Sequence, residues 1–168
     1  MIRPMRPQDK APVLDLIRAT GMFMPAELVV AEELIDIYLG VPEQKDYRIV
    51  VVDSEDGKGA VDGGEGRAGV AGYLTWGPTP MAEDAYDLYW MAVAPAEQGK
   101  GRGKELVRWF EAEVRKLNGR MIVIETSSQA KYHPTRQFYI GLGYKEVARI
   151  PDFYKPGDDR VIYAKYFR

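Results

Sequence analysis

The chain has no cysteine, a single histidine, and no apolar stretch approaching the ~20 residues that a membrane-spanning helix needs. Without thiols there is no disulfide framework, no thiolate metal site and no cysteine nucleophile. His133, with no cysteine near it, makes a poor metal ligand and reads better as the residue leading into a helix ahead of Pro134, so no metal is expected. A Gly-x-Ser-x-Gly elbow is missing too, which removes the usual serine acyl-enzyme chemistry. Charge of neither sign dominates: 23 Lys and Arg stand against 25 Asp and Glu. Such a balance gives no general attraction for nucleic acid or an anionic membrane, so neither is an expected partner and any anion site must be local. The first residues, MIRPMRPQDK, are charged and broken by proline, unlike a secretory leader. A cytoplasmic location is the expectation.

What is present suits one globular domain over residues 1–168, long enough to bury a core. After an extended start at Ile2 to Arg6, Val13, Leu14, Ile17 and Arg18 fall on one helical face that ends at Gly21. A second helix is predicted from Pro25 to Gly40, with Leu28, Val29, Leu34, Ile35 and Leu39 as its apolar residues. The β-branched run Ile49 to Val52 predicts a strand. Residues 53–67 follow, with five glycines and mixed charge, and are expected to be a mobile turn between strands. Further strands are predicted in AGVAGYLTWGP, YDLYWMAVAP and RMIVIETS, a short helix in PTRQFYIGLG, and a closing pair in YKEVARI and DRVIYAKYF around the turn PGDD. Helices among strands with a hairpin at the end imply a mixed sheet in an α+β fold.

The stretch VAPAEQGKGRGKELVRWFEAEV holds the strongest signal. Leu106, Val107, Phe110, Val114 and Leu117 share one helical face, Glu111 and Arg115 make an i,i+4 pair, and Asn118-Gly119 is a stop. Gly99, Gly101 and Gly103 therefore lie where a strand turns into a helix, a place with unpaired amides and a positive dipole end. Glycine lets backbone approach an anion, and Lys100, Arg102 and Lys104 add charge there, so phosphate binding is the chemistry such a turn offers. A dinucleotide fingerprint fails, since Lys104 or Leu106 stands where glycine is needed. A phosphate loop of the Walker type fails at Gln98 and Glu105.

Gln98-Gly99-Lys100-Gly101-Arg102-Gly103 does match the Q/R-x-x-G-x-G/A signature of the GNAT family of N-acetyltransferases, and the chain resembles that family best over Ala68 to Tyr144. The resemblance implies a central, twisted, mostly antiparallel sheet of six to seven strands flanked by about four helices. It implies acetyl-coenzyme A as co-substrate, its pyrophosphate held by Gln98 to Lys104. LYWMAVAP resembles the family's fourth strand, which would bind the pantetheine arm through backbone groups of Met91, Ala92 and Val93. FYIGLGY resembles the second family signature, and makes Tyr139, four residues before Gly143-Tyr144, the group near the thioester sulfur. Tyr132 stands where many members carry an asparagine that contacts the cofactor.

Acetyl transfer to an amine must take a proton from the amine and return one to the leaving thiolate. Tyr139 suits the second task. For the first, Asp87 lies eleven residues before Gln98, the offset at which histone-type members place a catalytic glutamate, and shares strand parity with Tyr89, Met91 and Val93. Glu125, at the end of the fifth strand beside Ser127 and Ser128, is the other candidate base, and Ser128 is a candidate for the cofactor cleft. Met22, Phe23 and Met24, with Asp152, Phe153, Tyr154, Asp158 and Asp159, are candidates for the acceptor side, where a small-molecule or peptide amine is expected and the lack of a long acidic groove favours a small one. Direct transfer in a ternary complex follows. A domain that binds acyl-coenzyme A without turnover is the alternative, and either a monomer or a homodimer is compatible.

Overall fold

The computed structural model describes residues 1–54 and 69–167. The turn expected at 53–67 lies almost entirely outside the described residues. Seven strands form one sheet, β1 (Ile2–Pro4), β2 (Arg48–Asp53), β3 (Val70–Pro78), β4 (Ala85–Val93), β5 (Met121–Ser127), β6 (Lys145–Lys155) and β7 (Asp158–Tyr166), in the order β1-β2-β3-β4-β5-β7-β6. The helices are α1 (Lys10–Ala19), α2 (Pro25–Gly40), α3 (Arg102–Lys116) and α4 (His133–Gly141). β4 and β5 run parallel, while β1 with β2, β2 with β3, β5 with β7 and β6 with β7 are antiparallel. The mixed, mostly antiparallel sheet expected from the sequence is the one observed.

By contact, the chain divides into two compact units, Met1–Gly77 with Trp90–Phe110, and Pro78–Tyr89 with Glu111–Arg168. In the first, Val13, Leu14, Leu16 and Ile17 of α1 and Ala31 and Ile35 of α2 pack with Ile49, Val51 and Tyr73 of the sheet. Arg18 stands outside that face and pairs with Asp15, because helical geometry gives the fourth place on the stripe to Leu16. Val29 is likewise exposed. β3 is buried from Val70 to Gly77, so it carries small and apolar residues without alternation, as a strand covered on both faces must. Gly72 is the tightest point: a Cβ there would lie 3.1 Å from Ala92 O, 3.1 Å from Leu106 Cδ1 and 3.3 Å from Val52 Cγ1. Backbone cannot retreat as a flexible side chain can, so Gly72→Val is expected to destabilise the protein by about 1–3 kcal/mol, read as a lower denaturant midpoint at unchanged slope.

In the second unit, β5 lies between β4 and β7. The β6–β7 hairpin closes on Pro156-Gly157, with Gly157 at φ +79°, so PGDD contributes two turn residues and its aspartates begin β7. Asp158 is buried, accepts hydrogen bonds from Ser127 Oγ and Gln129 Nε2, and anchors the turn after β5. Burial pushes its carboxyl up, but those two donors, the Ser128 amide and the Lys155 charge together hold it below the usual range. Two expectations for α3 are corrected. Leu117 lies past the last turn and is 38% exposed. Glu111 turns inward to Lys165, at 2.9 Å, while Arg115 lies over the Phe167 ring at 4.3 Å, because a nearby cation on β7 outcompetes a solvated i,i+4 partner.

Candidate active site

The first group of site residues belongs to the first unit. β4 ends at Val93, whose carbonyl accepts a hydrogen bond from Gln98 Nε2 at 3.2 Å. A short turn of 3-10 helix, Pro95–Glu97, then leads into the glycines. Gly99 and Gly101 adopt φ of +76° and +86°, a region that a side chain makes costly, and a Cβ built on either meets no heavy atom within 4 Å. Conformation rather than packing therefore demands glycine at these positions, and the backbone surface they present is open. The first helical bond of α3 runs from Glu105 N to Gly101 O at 2.9 Å, so the amides of Arg102, Gly103 and Lys104 precede the helical ladder. They sit at the positive end of a 15-residue helix.

The basic side chains of the loop are less available than their spacing implies. Lys100 Nζ lies 3.0 Å and Arg102 Nε 3.2 Å from the carboxylate of Glu97, and Arg102 Nη1 lies 3.1 Å from Glu105. The Lys100 and Arg102 cations hold the Glu97 carboxyl below its usual range. Glu97, only 8% exposed, thus braces the turn from within. What the loop presents to an anion is therefore chiefly backbone, with Lys100 and Lys104 exposed beside it. Sequence reasoning missed Glu97 because nothing in its local pattern distinguishes a brace from a solvated acid.

Asp87, Glu125, Ser128 and Tyr139 belong to the second unit. Asp87 pairs in register with Val123, and Glu125 with Ile162 of β7. The alternation of strands places Asp87 and Glu125 on one face of the sheet. The half-buried Asp87 carboxyl is pushed up from its ordinary value, first by burial and then by the Glu125 charge, against the opposing Arg160 cation and the hydroxyls of Thr79 and Tyr89. Thr79 Oγ1 is buried and lacks a hydrogen bond of good geometry, so its help is weak. Glu125 is ion-paired to Arg160. Ser128 Oγ accepts from the Asp159 amide at 2.8 Å and is tied into β7.

Tyr139, on α4, is 4% exposed, with Phe138 and Tyr144 as ring neighbours at 5.3 and 5.9 Å. Burial drives its phenol well above the ordinary range, so it stays protonated at any working pH. α4 stops where Gly143 takes φ +88°, and Lys165 Nζ caps it by donating to Leu142 O at 2.8 Å. That cap and the Tyr144 amide bonded to Tyr139 O at 3.1 Å hold the tyrosine's backbone. Phe23 of the expected acceptor wall packs on Trp90 at 5.4 Å, while Met24 is exposed. Among the described residues, no group of acidic or histidine side chains could hold a metal ion, and no helix is long and apolar enough to cross a membrane.

The described geometry offers a backbone cradle for a diphosphate in one unit, and in the other a carboxyl of raised proton affinity together with a buried phenol. Residues 45–146 match the sequence pattern of the acetyltransferase (GNAT) domain. A crystal structure of a GNAT-family protein from Desulfovibrio desulfuricans is 38% identical, with a TM-score of 0.88 over 99% of this chain and 98% of that one. An aminoglycoside 6'-N-acetyltransferase in complex with coenzyme A shares the fold at 18% identity and a TM-score of 0.72, over 99% and 96% of the two chains. The ribosomal-protein-S18-alanine N-acetyltransferase from Escherichia coli does so at 16% and 0.71, over 99% and 92%. No curated protein sequence matches the chain.

Proposed function

Because the chain belongs to the GNAT family of acetyltransferases, we propose that it transfers the acetyl group of acetyl-coenzyme A directly to a primary amine, on a small molecule or a peptide, with no acyl-enzyme. The observation that carries this reading is the open pair of positive-φ glycines ahead of α3. They suit a pyrophosphate seated on the turn from Gln98 to Lys104 and held chiefly by the amides of Arg102, Gly103 and Lys104, with the pantetheine arm along the backbone of Met91, Ala92 and Val93. Coenzyme A in one relative of the same fold supports that assignment. The bound co-substrate supplies the activated acyl carbon; the chain supplies the proton transfers and the orientation.

In this reading Asp87 accepts one proton from the acceptor's ammonium and later passes it to solvent; the freed nitrogen forms its bond to the acyl carbon as the bond to sulfur breaks, and its second proton leaves to solvent. Tyr139 gives its proton to the departing sulfur and regains one from solvent. A phenol of such high proton affinity is a weak acid towards a thiolate in water. The burial that raises it desolvates a sulfur placed beside it as well, and so raises that sulfur's affinity in the same direction.

A thiol-release assay with acetyl-coenzyme A against a panel of small amines and peptides tests the reading. Release that depends on an amine supports it. Coenzyme A binding by calorimetry with no release for any amine would replace it with an acyl-coenzyme A binding domain, and a stable acetylated protein seen by mass spectrometry would overturn direct transfer. Gly101→Ala, which puts a side chain at φ +86°, is expected to strain the loop by about 1–2 kcal/mol and to weaken coenzyme A binding by roughly tenfold, measured calorimetrically.

A further inference from the structure

Arg160 has no part in the transfer as written, yet it is ion-paired to one candidate base, Glu125, and its charge acts on the other, Asp87. In the β5–β7 register Ser127 stands opposite Arg160, and Glu125 opposite Ile162. Strand alternation puts Arg160 on the face that carries Glu125 and Asp87. The Arg160 guanidinium ion-pairs with Glu125 through Nη2. Its Cζ lies over the Phe153 ring of β6, 4.8 Å from the centroid, in a cation–π contact. Its Nε is buried without a hydrogen-bond partner.

An arginine stays charged at every working pH. Glu125 raises the proton affinity of Asp87, and by pairing with Glu125 the arginine settles which carboxylate stays engaged and which remains free to exchange a proton. We propose that Arg160 is a positioning residue: by engaging Glu125 it withdraws that carboxylate from proton transfer and leaves Asp87 as the group that takes the acceptor's proton. This assignment rests on the acetyl-transfer reading above. The groups facing Asp87 are Thr79 from the segment before β4, Tyr89 of β4 itself, Glu125 of β5 and Arg160 of β7. Of these, Arg160 is the cation.

Two measurements test it together: the titration of the Asp87 carboxyl by carbon-detected NMR, which needs no turnover, and the pH profile of kcat/KM. In Arg160→Met the Asp87 midpoint is expected to rise, and kcat/KM at mildly acidic pH to fall roughly tenfold. Arg160→Lys, which keeps the cation, restores most of both. Glu125→Gln removes the carboxylate that opposes Asp87 ionisation and moves the Asp87 midpoint down, opposite to Arg160→Met; this arm stands even if Arg160→Met fails to fold. An Asp87 titration unchanged in both variants, with acetyl transfer intact in the wild type, overturns the role of Arg160 alone. The expected shifts in a wild type that releases thiol with no amine overturn the transfer reading, and the catalytic meaning of Arg160 with it.

Discussion

Tyr139→Phe is expected to lower kcat for acetyl transfer by about 10²–10³-fold while changing the affinity for acetyl-coenzyme A little. The substitution keeps the buried ring and its contacts with Phe138 and Tyr144, so it removes the hydroxyl and leaves the packing of α4 in place. A tyrosine that served only as core would give a variant of nearly wild-type kcat, and the two outcomes separate cleanly. The raised proton affinity of this phenol adds a second expectation. The wild-type kcat profile should show no alkaline fall from Tyr139 at or below the ordinary tyrosine pKa of about 10. Leaving groups of lower thiol pKa should narrow the gap between wild type and variant, because they need the proton less.

Asp87→Asn is expected to cost roughly 10²-fold in kcat/KM near neutral pH and to abolish the acid limb of the wild-type profile. A base works only when deprotonated, so wild-type activity rises with pH through the Asp87 midpoint, which burial and Glu125 place above the ordinary carboxylate value. Stability should move the opposite way. A carboxyl whose folded pKa is raised binds its proton more tightly folded than unfolded, and the protein loses stability as pH rises from the unfolded value through the folded one. Asp87→Asn escapes that loss, so its melting temperature at pH 7 should exceed that of the wild type, and the advantage should vanish at pH 3. A variant that is both less active and less stable at pH 7 would count against a strained functional carboxylate and for a structural one.

Much of this was readable from short stretches of chain. The strand, glycine turn and helix over 85–116 followed from local patterns, because period, turn chemistry and helix stop agree there. The same is true of Tyr139 on a short helix before Gly143, where φ is +88°. Wrong or missing readings share a cause. Leu117 satisfies the helical period but lies past the covered turn, and Glu111 satisfies the i,i+4 rule but meets Lys165, which is 54 residues away. Each outcome depends on which distant residue reaches the spot first.

The sequence by itself determined the conformations that only certain residues permit: glycine where φ is positive, β-branched and small residues where a strand is buried on both faces, proline and glycine at helix and hairpin ends. These are local steric preferences, and they are complete within a few residues. Tertiary structure alone decided the state of the charges. That Glu97 pairs with Lys100 and Arg102, that Asp158 is a buried anchor, and that Arg160 pairs with Glu125 on the face that carries Asp87 all depend on neighbours brought together by strands and turns. The energy of a charge depends on its neighbours and on the water it has lost, and both are assembled from segments far apart in the chain.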